Sequence, residues 1–208
     1  MSRYYPIQLD LKGKPCLVVG GGEVALRKVR ALVEAGAEVT VVAPEMHPKL
    51  RALGGVERRE RAWRDTDLHG VFLAIVATDD AVTNRAVARD AQDLGCLVNV
   101  VDCPALSNFI VPATLRRGEL AISVSTGGAS PALARRLREK LEAEFGEEYA
   151  VFLEVVAEVR RCVIEKVPDD ACRAEVLRGI AHERWLEVLR DRGREALLEE
   201  MRKFAGVA

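Results

Sequence analysis

The sequence has no apolar run near the roughly 18 residues that a membrane span needs, so we expect no transmembrane helix. Its first residues, Met1–Pro6, lack the charged start and long apolar core of a signal peptide. We therefore expect a cytoplasmic protein with no membrane partner. Neither sign of charge is in excess, since 31 Lys and Arg stand against 32 Asp and Glu. This balance argues against a globally basic protein that binds nucleic acid.

Cysteines are few, and their spacing suits neither a disulfide framework nor a structural zinc site. They number five, which is odd, and no pair has CxxC spacing. Cys16 and Cys96 lie inside apolar runs, so we expect them in the core. The three histidines, His47, His69 and His182, are isolated along the chain, and we interpret them as surface or helix-capping residues. We therefore predict no metal site.

The composition, 49% hydrophobic and 30% charged, is that of an ordinary globular protein. In the first half of the chain, short apolar runs alternate with segments of helical spacing. The runs are Lys14–Gly20, Glu38–Ala43, Val71–Ala77 and Cys96–Val101, and the helical segments are Val24–Glu34 and Asp80–Leu94. This alternation predicts a parallel sheet covered by helices on both faces. In the charged region Gly55–Trp63 we predict a short strand, with Trp63 anchored in the core.

The pattern changes after Pro112. A turn at Leu115–Leu120 is predicted between two extended pieces, and the strand Leu120–Ser125 has no evident partner in its own chain. An unpaired strand edge is a liability that a second chain can cover, which favours a homodimer. The remainder is predicted to be helical, over about 132–145, 147–166, 170–180 and 182–204, with breaks at Gly146, Pro168 and Gly179.

A glycine turn follows the first predicted strand. Gly20–Ala25 matches the G-x-G-x-x-G/A fingerprint of dinucleotide-binding folds, in which the diphosphate approaches the backbone at a helix N terminus. A glycine turn without a ligand is the alternative. The second strand ends at Pro44, and the first carboxylate after it, Glu45, either binds the adenosine ribose or is solvated. No Arg or Lys stands at that strand end to hold a 2′-phosphate, which favours NAD over NADP.

Two further polar positions follow predicted strands. Asp102 ends the run Asn99–Asp102, and ligands of doubly wound sheets bind outside the carboxyl ends of the strands. A carboxylate there can act as a general acid or base. Asp102-Cys103-Pro104 is also a turn sequence, so a turn or capping residue is an equal alternative. Thr78, followed by Asp79 and Asp80, occupies a comparable position, where we predict cofactor contact and capping of the next helix.

A local excess of positive charge follows these strands. Residues 113–140 contain six basic residues and two acidic ones, and the basic residues are Arg116, Arg117, Arg135, Arg136, Arg138 and Lys140. Together with a helix N terminus at Ser130–Pro131, they could receive a polyanionic substrate. The alternative for any single arginine is a solvated helix face paired with Glu142 and Glu144.

Four motifs, in this order, make the sequence similar to the precorrin-2 dehydrogenase family of siroheme synthesis, which includes the N-terminal part of multifunctional siroheme synthases. The motifs are Cys16–Ala25, Ala77–Asp80, Asn99–Pro104 and Ser123–Ala134. The resemblance covers about residues 3–145. Four ordered motifs are far more specific than one glycine fingerprint, whereas the helical tail after Glu147 resembles the family only in kind.

The resemblance implies a fold and an activity. Family members oxidise precorrin-2 to sirohydrochlorin with NAD⁺, and they are homodimers. We therefore expect a Rossmann-type doubly wound parallel α/β sheet over 1–112, a small α+β dimerisation segment over 113–146 and a C-terminal helical domain over 147–208. Two alternatives stay open. One is a bifunctional enzyme that also inserts Fe²⁺ as a ferrochelatase, and the other is a regulatory module that senses NAD.

The resemblance also implies roles for single residues. It makes Asp102 the catalytic residue and, with the glycine fingerprint, places cofactor contacts at Gly20, Gly22, Glu23, Val24, Pro44, Glu45 and Thr78. Substrate contacts are expected in a loop at Ser125, Thr126 and Gly127, where Thr126 replaces the serine of some bifunctional members. From the basic set, we assign Arg116 and Arg135 to the substrate carboxylates.

Overall fold

The computed structural model describes residues 4–207. Their contacts divide into two compact units, and the boundary lies between Val111 and Pro112. None of the helices within the described residues is long and apolar enough to cross a membrane.

The first unit is a parallel sheet with helices on both faces. Its strands are β1 (Pro15–Val19), β2 (Glu38–Val42), β3 (Val56–Arg59), β4 (Leu73–Val76) and β5 (Leu97–Val100). They lie in the order β3-β2-β1-β4-β5, and every pair is parallel. The helices are α1 (Glu23–Glu34), α2 (Pro48–Arg51) and α3 (Ala81–Asp93). This arrangement confirms the predicted doubly wound α/β fold; the four-residue helix α2 was not predicted.

The central strand, β1, is buried on both faces. Cys16 and Val18 pack in the cluster that includes α1 and α2, whereas Leu17 and Val19 pack in the cluster that includes α3. Because side chains alternate between two buried faces, the strand is apolar at nearly every position. Burial and the nearby Cys96 thiol raise the pKa of Cys16 to about 11, so this cysteine is a protonated core residue, as expected.

The charged segment after β2 contains the edge strand β3, which confirms the short strand predicted between Gly55 and Trp63. Trp63 is half-buried and packs against the cluster under α3, as predicted. The chain then crosses that face through a 3-10 helix, Asp65–Leu68, and returns to the sheet as β4.

That 3-10 helix contains Asp67, which is the one buried charged or polar residue in the described part of the chain. Arg61 donates to both carboxylate oxygens of Asp67, at 2.7 and 2.6 Å, and Arg59 donates to one of them at 2.7 Å. The backbone N–H of Arg64 donates to the same carboxylate at 2.9 Å. These hydrogen bonds, above all those from Arg61, outweigh burial and hold the pKa of Asp67 well below its usual range.

The second unit begins with a two-stranded antiparallel sheet, β6 (Ala113–Arg117) and β7 (Leu120–Val124). The two strands pair along their whole length, from Ala113 opposite Val124 to Arg117 opposite Leu120. The expectation that the strand Leu120–Ser125 lacks a partner in its own chain is therefore wrong. The predicted turn at Gly118, whose φ is 54°, is tight enough for β6 to return directly as β7.

Four helices follow, α4 (Pro131–Glu144), α5 (Glu148–Lys166), α6 (Asp170–Ile180) and α7 (Arg184–Phe204). The last three share a core that includes Val159, Ile180 and Leu197. Helix α7 is kinked at Gly193, where φ is 81° and ψ −179°, and this kink was not predicted. Gly179 lies inside α6 rather than at the predicted break. A Cβ atom there would come within 2.4 Å of the Phe204 ring, so this glycine permits close helix packing.

Candidate active site

The three glycines after β1 have different surroundings. Gly20 has a φ of 125°, and a Cβ atom there would lie 2.2 Å from the carbonyl oxygen of Ala77. A Cβ atom at Gly21 would lie 1.9 Å from the carbonyl oxygen of Glu45. At Gly22 it would meet nothing within 4 Å. The first two glycines therefore let the chain pass close to the ends of β4 and β2, and the third leaves open space in front of the backbone.

That open space adjoins the N terminus of α1. Gly22 is the N-cap residue, its backbone is extended, and no side chain caps the helix there. The N–H groups of a first helical turn have no partner within the helix, and the helix dipole favours an anion beside them. An open glycine backbone and uncapped amides fit the diphosphate of a dinucleotide.

The predicted cofactor residues surround this turn. Val24 is half-buried and Glu23 exposed at the start of α1, whereas Pro44 and Glu45 are exposed after β2. The contact between Gly21 and Glu45 brings these two groups together. Their contact with a cofactor stays a prediction.

Thr78 follows β4 in a locked turn. Its hydroxyl donates to Oδ1 of Asn84 at 2.6 Å, and the Asn84 side chain donates back to the carbonyl oxygen of Thr78 at 3.0 Å. Asp80 caps α3 by accepting from the backbone N–H groups of Val82 and Thr83, as predicted. The residue before Thr78 is Ala77, whose carbonyl oxygen faces Gly20, so the Thr78 turn lies next to the glycine turn.

Asp102 lies two residues after β5, in a turn closed by the N–H of Cys103 donating to the carbonyl oxygen of Val100 at 3.1 Å. Its φ is 57°, and it is the one non-glycine residue between 4 and 207 with a positive φ. Its side chain is exposed and does not cap the 3-10 helix that follows, Pro104–Leu106. Asp102 is therefore a turn residue, as one alternative predicted, and its side chain does not cap a helix, as the other predicted. The carboxylate faces solvent at the carboxyl edge of the sheet.

Polar side chains after this turn hold it in place, and they were not predicted from the sequence. The Ser107 hydroxyl accepts from the N–H of Val100 at 2.9 Å and donates to the carbonyl oxygen of Cys103 at 3.0 Å. Asn108 accepts from the N–H of Val98 at 2.8 Å. These bonds satisfy the open edge of β5 and brace both ends of the Asp102 turn. The available signal was a Ser-Asn pair close after a turn, since both side chains often bind nearby backbone.

Lys28, on α1, is a second residue that was missed. Its side chain is half-buried, and burial lowers its pKa. The positive charge of Arg27 lowers the pKa further, whereas the Asp102 carboxylate raises it. Asp102 is therefore among the charges that act on Lys28. Val101, the residue before Asp102, packs against the apolar cluster to which α1 belongs.

The predicted substrate loop lies in the second unit. The Ser125 hydroxyl accepts from the N–H of Gly127 at 3.2 Å, and the Thr126 hydroxyl accepts from the N–H of Ser130 at 3.0 Å. Ser130 in turn caps α4 by accepting from the N–H of Leu133. The loop residues Ser125 and Gly127 are exposed, and Thr126 is half-buried.

Several basic residues of the predicted set between residues 113 and 140 have partners within the protein, and Arg116 is exposed. Arg117 donates to the carbonyl oxygens of Phe145 and Glu142 and so anchors the end of α4. Arg135 pairs with Glu139 at 2.9 Å, although it is largely exposed, and Arg138 pairs with Glu142. Arg116 is exposed on β6. The assignment of Arg116 and Arg135 to substrate stays a prediction.

His47 is the N-cap residue of α2, as predicted, and His182 is a surface residue one position before the N-cap of α7. The Nδ1 atoms of His47 and His182 accept from the backbone N–H groups of Lys49 and Arg184, at 3.1 Å in each case. Among residues 4–207, no group of three or more His, Cys, Asp or Glu side chains is arranged to hold a metal ion.

Models of known protein families match parts of both units. A family model described as putative NAD(P)-binding matches residues 7–113, and one described as the central part of sirohaem biosynthesis proteins matches residues 117–144. The siroheme synthase of Methylobacillus flagellatus is 42% identical over 199 residues, which cover 92% of this chain and 43% of that protein. The siroheme synthase of Pseudomonas aeruginosa is 46% identical over 169 residues, which cover 80% of this chain and 36% of that protein.

The chain thus spans less than half the length of these curated relatives. A solved structure, "SirC, precorrin-2 dehydrogenase", is 30% identical and has a TM-score of 0.80. That match covers 96% of this chain and 100% of the other. The resemblance inferred from the four sequence motifs is confirmed, and the chain belongs to the precorrin-2 dehydrogenase family.

Proposed function

We propose that this protein oxidises precorrin-2 to sirohydrochlorin with NAD⁺ in siroheme biosynthesis. One observation carries the proposal. The open glycine turn after β1 and the exposed carboxylate of Asp102 after β5 lie at the carboxyl edge of one parallel sheet. A dinucleotide site and a proton acceptor at the same edge are what an NAD-dependent dehydrogenase needs.

The oxidation removes a hydride from a ring carbon of precorrin-2 and a proton from the macrocycle. NAD⁺ supplies the hydride acceptor. The protein supplies orientation, through the amides at the N terminus of α1, and a base. In this proposal a carboxylate oxygen of Asp102 accepts the proton. The bonds from Ser107 to both ends of the turn hold the backbone that carries this carboxylate.

The substrate is a flexible polycarboxylate tetrapyrrole, so binding requires positive charge and hydrogen-bond donors away from the reacting carbon. Arg116 and the loop Ser125–Gly127 provide such groups. Arg135 would exchange its bond to Glu139 for one to a substrate carboxylate, because that pair is exposed and contributes little in water. We also propose that the chain is organised in three parts, over 1–112, 113–146 and 147–208.

The protein is proposed to act as a homodimer in the cytoplasm. Helix α4 buries only Ala134 of its fourteen residues, and Leu133 and Leu137, one turn apart, are 48% and 38% exposed. The sheet beside it has two strands, and neither pairs with a further strand in the part of the chain that the structure describes. A second copy would cover these features. The five cysteines are free thiols, in keeping with a reducing compartment.

The decisive experiment is anaerobic incubation of the purified chain with precorrin-2 and NAD⁺. NADH formation, monitored at about 340 nm, should parallel the appearance of the sirohydrochlorin spectrum. A chain that binds NAD⁺ without turning over precorrin-2 would instead support the NAD-sensing alternative. Adding Fe²⁺ to the product mixture tests the bifunctional alternative, because siroheme formation above the rate without protein would reveal ferrochelatase activity.

A further inference from the structure

Glu23 is the first residue of α1, so its carboxylate stands beside the amides that would hold the diphosphate. The dipole of the helix attracts a carboxylate to its N terminus just as it attracts a phosphate. The Glu23 side chain is 66% exposed and therefore has room to turn toward those amides. An unrestrained carboxylate at this position would compete with the diphosphate and repel it.

His47 contacts this carboxylate. Its Nε2 atom lies 3.2 Å from Oε2 of Glu23, and its Nδ1 atom accepts from the backbone N–H of Lys49. Because Nδ1 is used as an acceptor, the neutral imidazole carries its proton on Nε2, the nitrogen that faces Oε2 of Glu23. The ring thus has a polar partner at each nitrogen, and only 29% of the side chain is exposed.

The backbone of the same segment is attached to the glycine turn separately. The N–H of His47 donates to the carbonyl oxygen of Gly21 at 2.8 Å, and the carbonyl oxygen of Glu45 lies against Gly21. These contacts do not depend on the imidazole. The contact between the His47 imidazole and Glu23 is therefore not needed to dock the segment against the glycine turn.

We propose that His47 is a positioning residue for the dinucleotide site. By binding the Glu23 carboxylate, it keeps that carboxylate off the N-terminal amides of α1 and leaves them to the cofactor diphosphate. This inference rests on the proposed function. It assigns His47 an effect on dinucleotide affinity and none on the proton transfer at Asp102.

The substitution His47→Asn should keep one contact of the imidazole, that with Lys49, and remove the other, that with Glu23. Asparagine is a favoured N-cap residue and can still accept from the N–H of Lys49, but its shorter side chain does not reach Glu23. Calorimetry with the full chain should give a dissociation constant for NAD⁺ about tenfold higher than that of the wild type. The KM for NAD⁺ should rise by a similar factor and kcat should stay within about twofold, because the loss is one of binding.

The matched control makes the same substitution in a Glu23→Gln background, where no carboxylate is left to restrain. There, His47→Asn should change NAD⁺ affinity by less than about twofold. An equal loss in both backgrounds would mean that His47 acts through the loop and would overturn the inference, as would unchanged affinity in the single variant. A wild-type chain that does not bind NAD⁺ would instead overturn the proposed function itself.

Discussion

A Cβ atom at Gly21 would lie 1.9 Å from the carbonyl oxygen of Glu45, whereas at the next residue, Gly22, it would meet nothing within 4 Å. Two adjacent glycines thus serve different ends. Gly21 is required by the packing of the protein against itself, because the nearest atom is backbone and cannot move aside. Gly22 is not required by the fold, so its open surface is available to a ligand.

The substitution Gly22→Val should abolish NAD⁺ binding and leave the fold intact. The backbone at Gly22 has φ −80° and ψ −171°, which valine adopts without strain. Its side chain would occupy the space through which the diphosphate approaches, so affinity should fall by at least about a hundredfold. Calorimetry measures the NAD⁺ affinity, and circular dichroism on the same preparation checks that the fold is intact.

The control for this prediction is Gly21→Ala, a smaller change at the neighbouring residue. It should reduce the yield of folded protein or lower the melting temperature sharply, because the new methyl group meets the Glu45 carbonyl. Unchanged NAD⁺ affinity in folded Gly22→Val protein would place the cofactor elsewhere.

The proposed dimer predicts a specific pair of disruptive substitutions. Light scattering of the wild type at micromolar concentration should give twice the chain mass. Leu133→Glu combined with Leu137→Glu should give a monomer with unchanged helix content, since both side chains are exposed in the single chain. The substitution Ile164→Glu is the matched control, because Ile164 is 50% exposed on α5 and outside the proposed interface. A monomeric wild type, or a dimeric double variant, would contradict the proposal.

The buried Asp67 predicts an acid-dependent loss of stability. Its pKa is lowered in the fold, chiefly by Arg61, so its stabilising effect is complete above the ordinary carboxyl pKa of about 3.9 and is lost as the pH falls below it. Urea unfolding at pH 7 should show that Asp67→Asn lowers the free energy of unfolding by about 2 kcal/mol. The difference from wild type should be constant between about pH 5 and 8 and shrink below about pH 4.

The control is Asp65→Asn in the same 3-10 helix, where the aspartate is exposed and accepts only from the adjacent N–H of Thr66. It should change the free energy of unfolding by less than about 0.5 kcal/mol. Equal stability of Asp67→Asn and wild type at pH 7 would show that the ion pairs with Arg59 and Arg61 do not stabilise the fold.

Much of the fold was predictable because local pattern and burial agree. A strand covered on both faces must be apolar at almost every position, so β1 and β4 are visible as apolar runs, and β2 and β5 as runs with few polar residues. Asp80 and Ser130 were predictable as caps because a short polar side chain before a helix binds the first free amides. The features that were not predicted depend on structure that the local sequence pattern does not reveal. The pairing of β7 with β6 required the geometry of the turn at Gly118, and the kink at Gly193 gives no periodic signal.

The site divides in the same way. The glycine turn and Asp102 were predictable because their positions at strand ends are local features. The pairing of His47 with Glu23 was not, because those residues are 24 positions apart and approach only when the segment after β2 folds against the glycine turn. Lys28 was missed for the same reason, since its burial depends on packing that the sequence pattern of α1 does not reveal.

The catalytic assignment of Asp102 is tested by comparing two substitutions that suit its positive φ. Asparagine and glycine are the residues best tolerated in the left-handed region, so Asp102→Asn and Asp102→Gly should both fold, and the glycine variant should be at least as stable as the wild type. If the carboxylate accepts the proton, each variant should retain NAD⁺ affinity and lose about 10²–10⁴-fold in anaerobic turnover of precorrin-2. If Asp102 only forms the turn, both variants should be fully active, because both residues form such turns well. Near wild-type turnover in either variant, with NAD⁺ affinity measured on the same preparation, would contradict the role of Asp102 as the base.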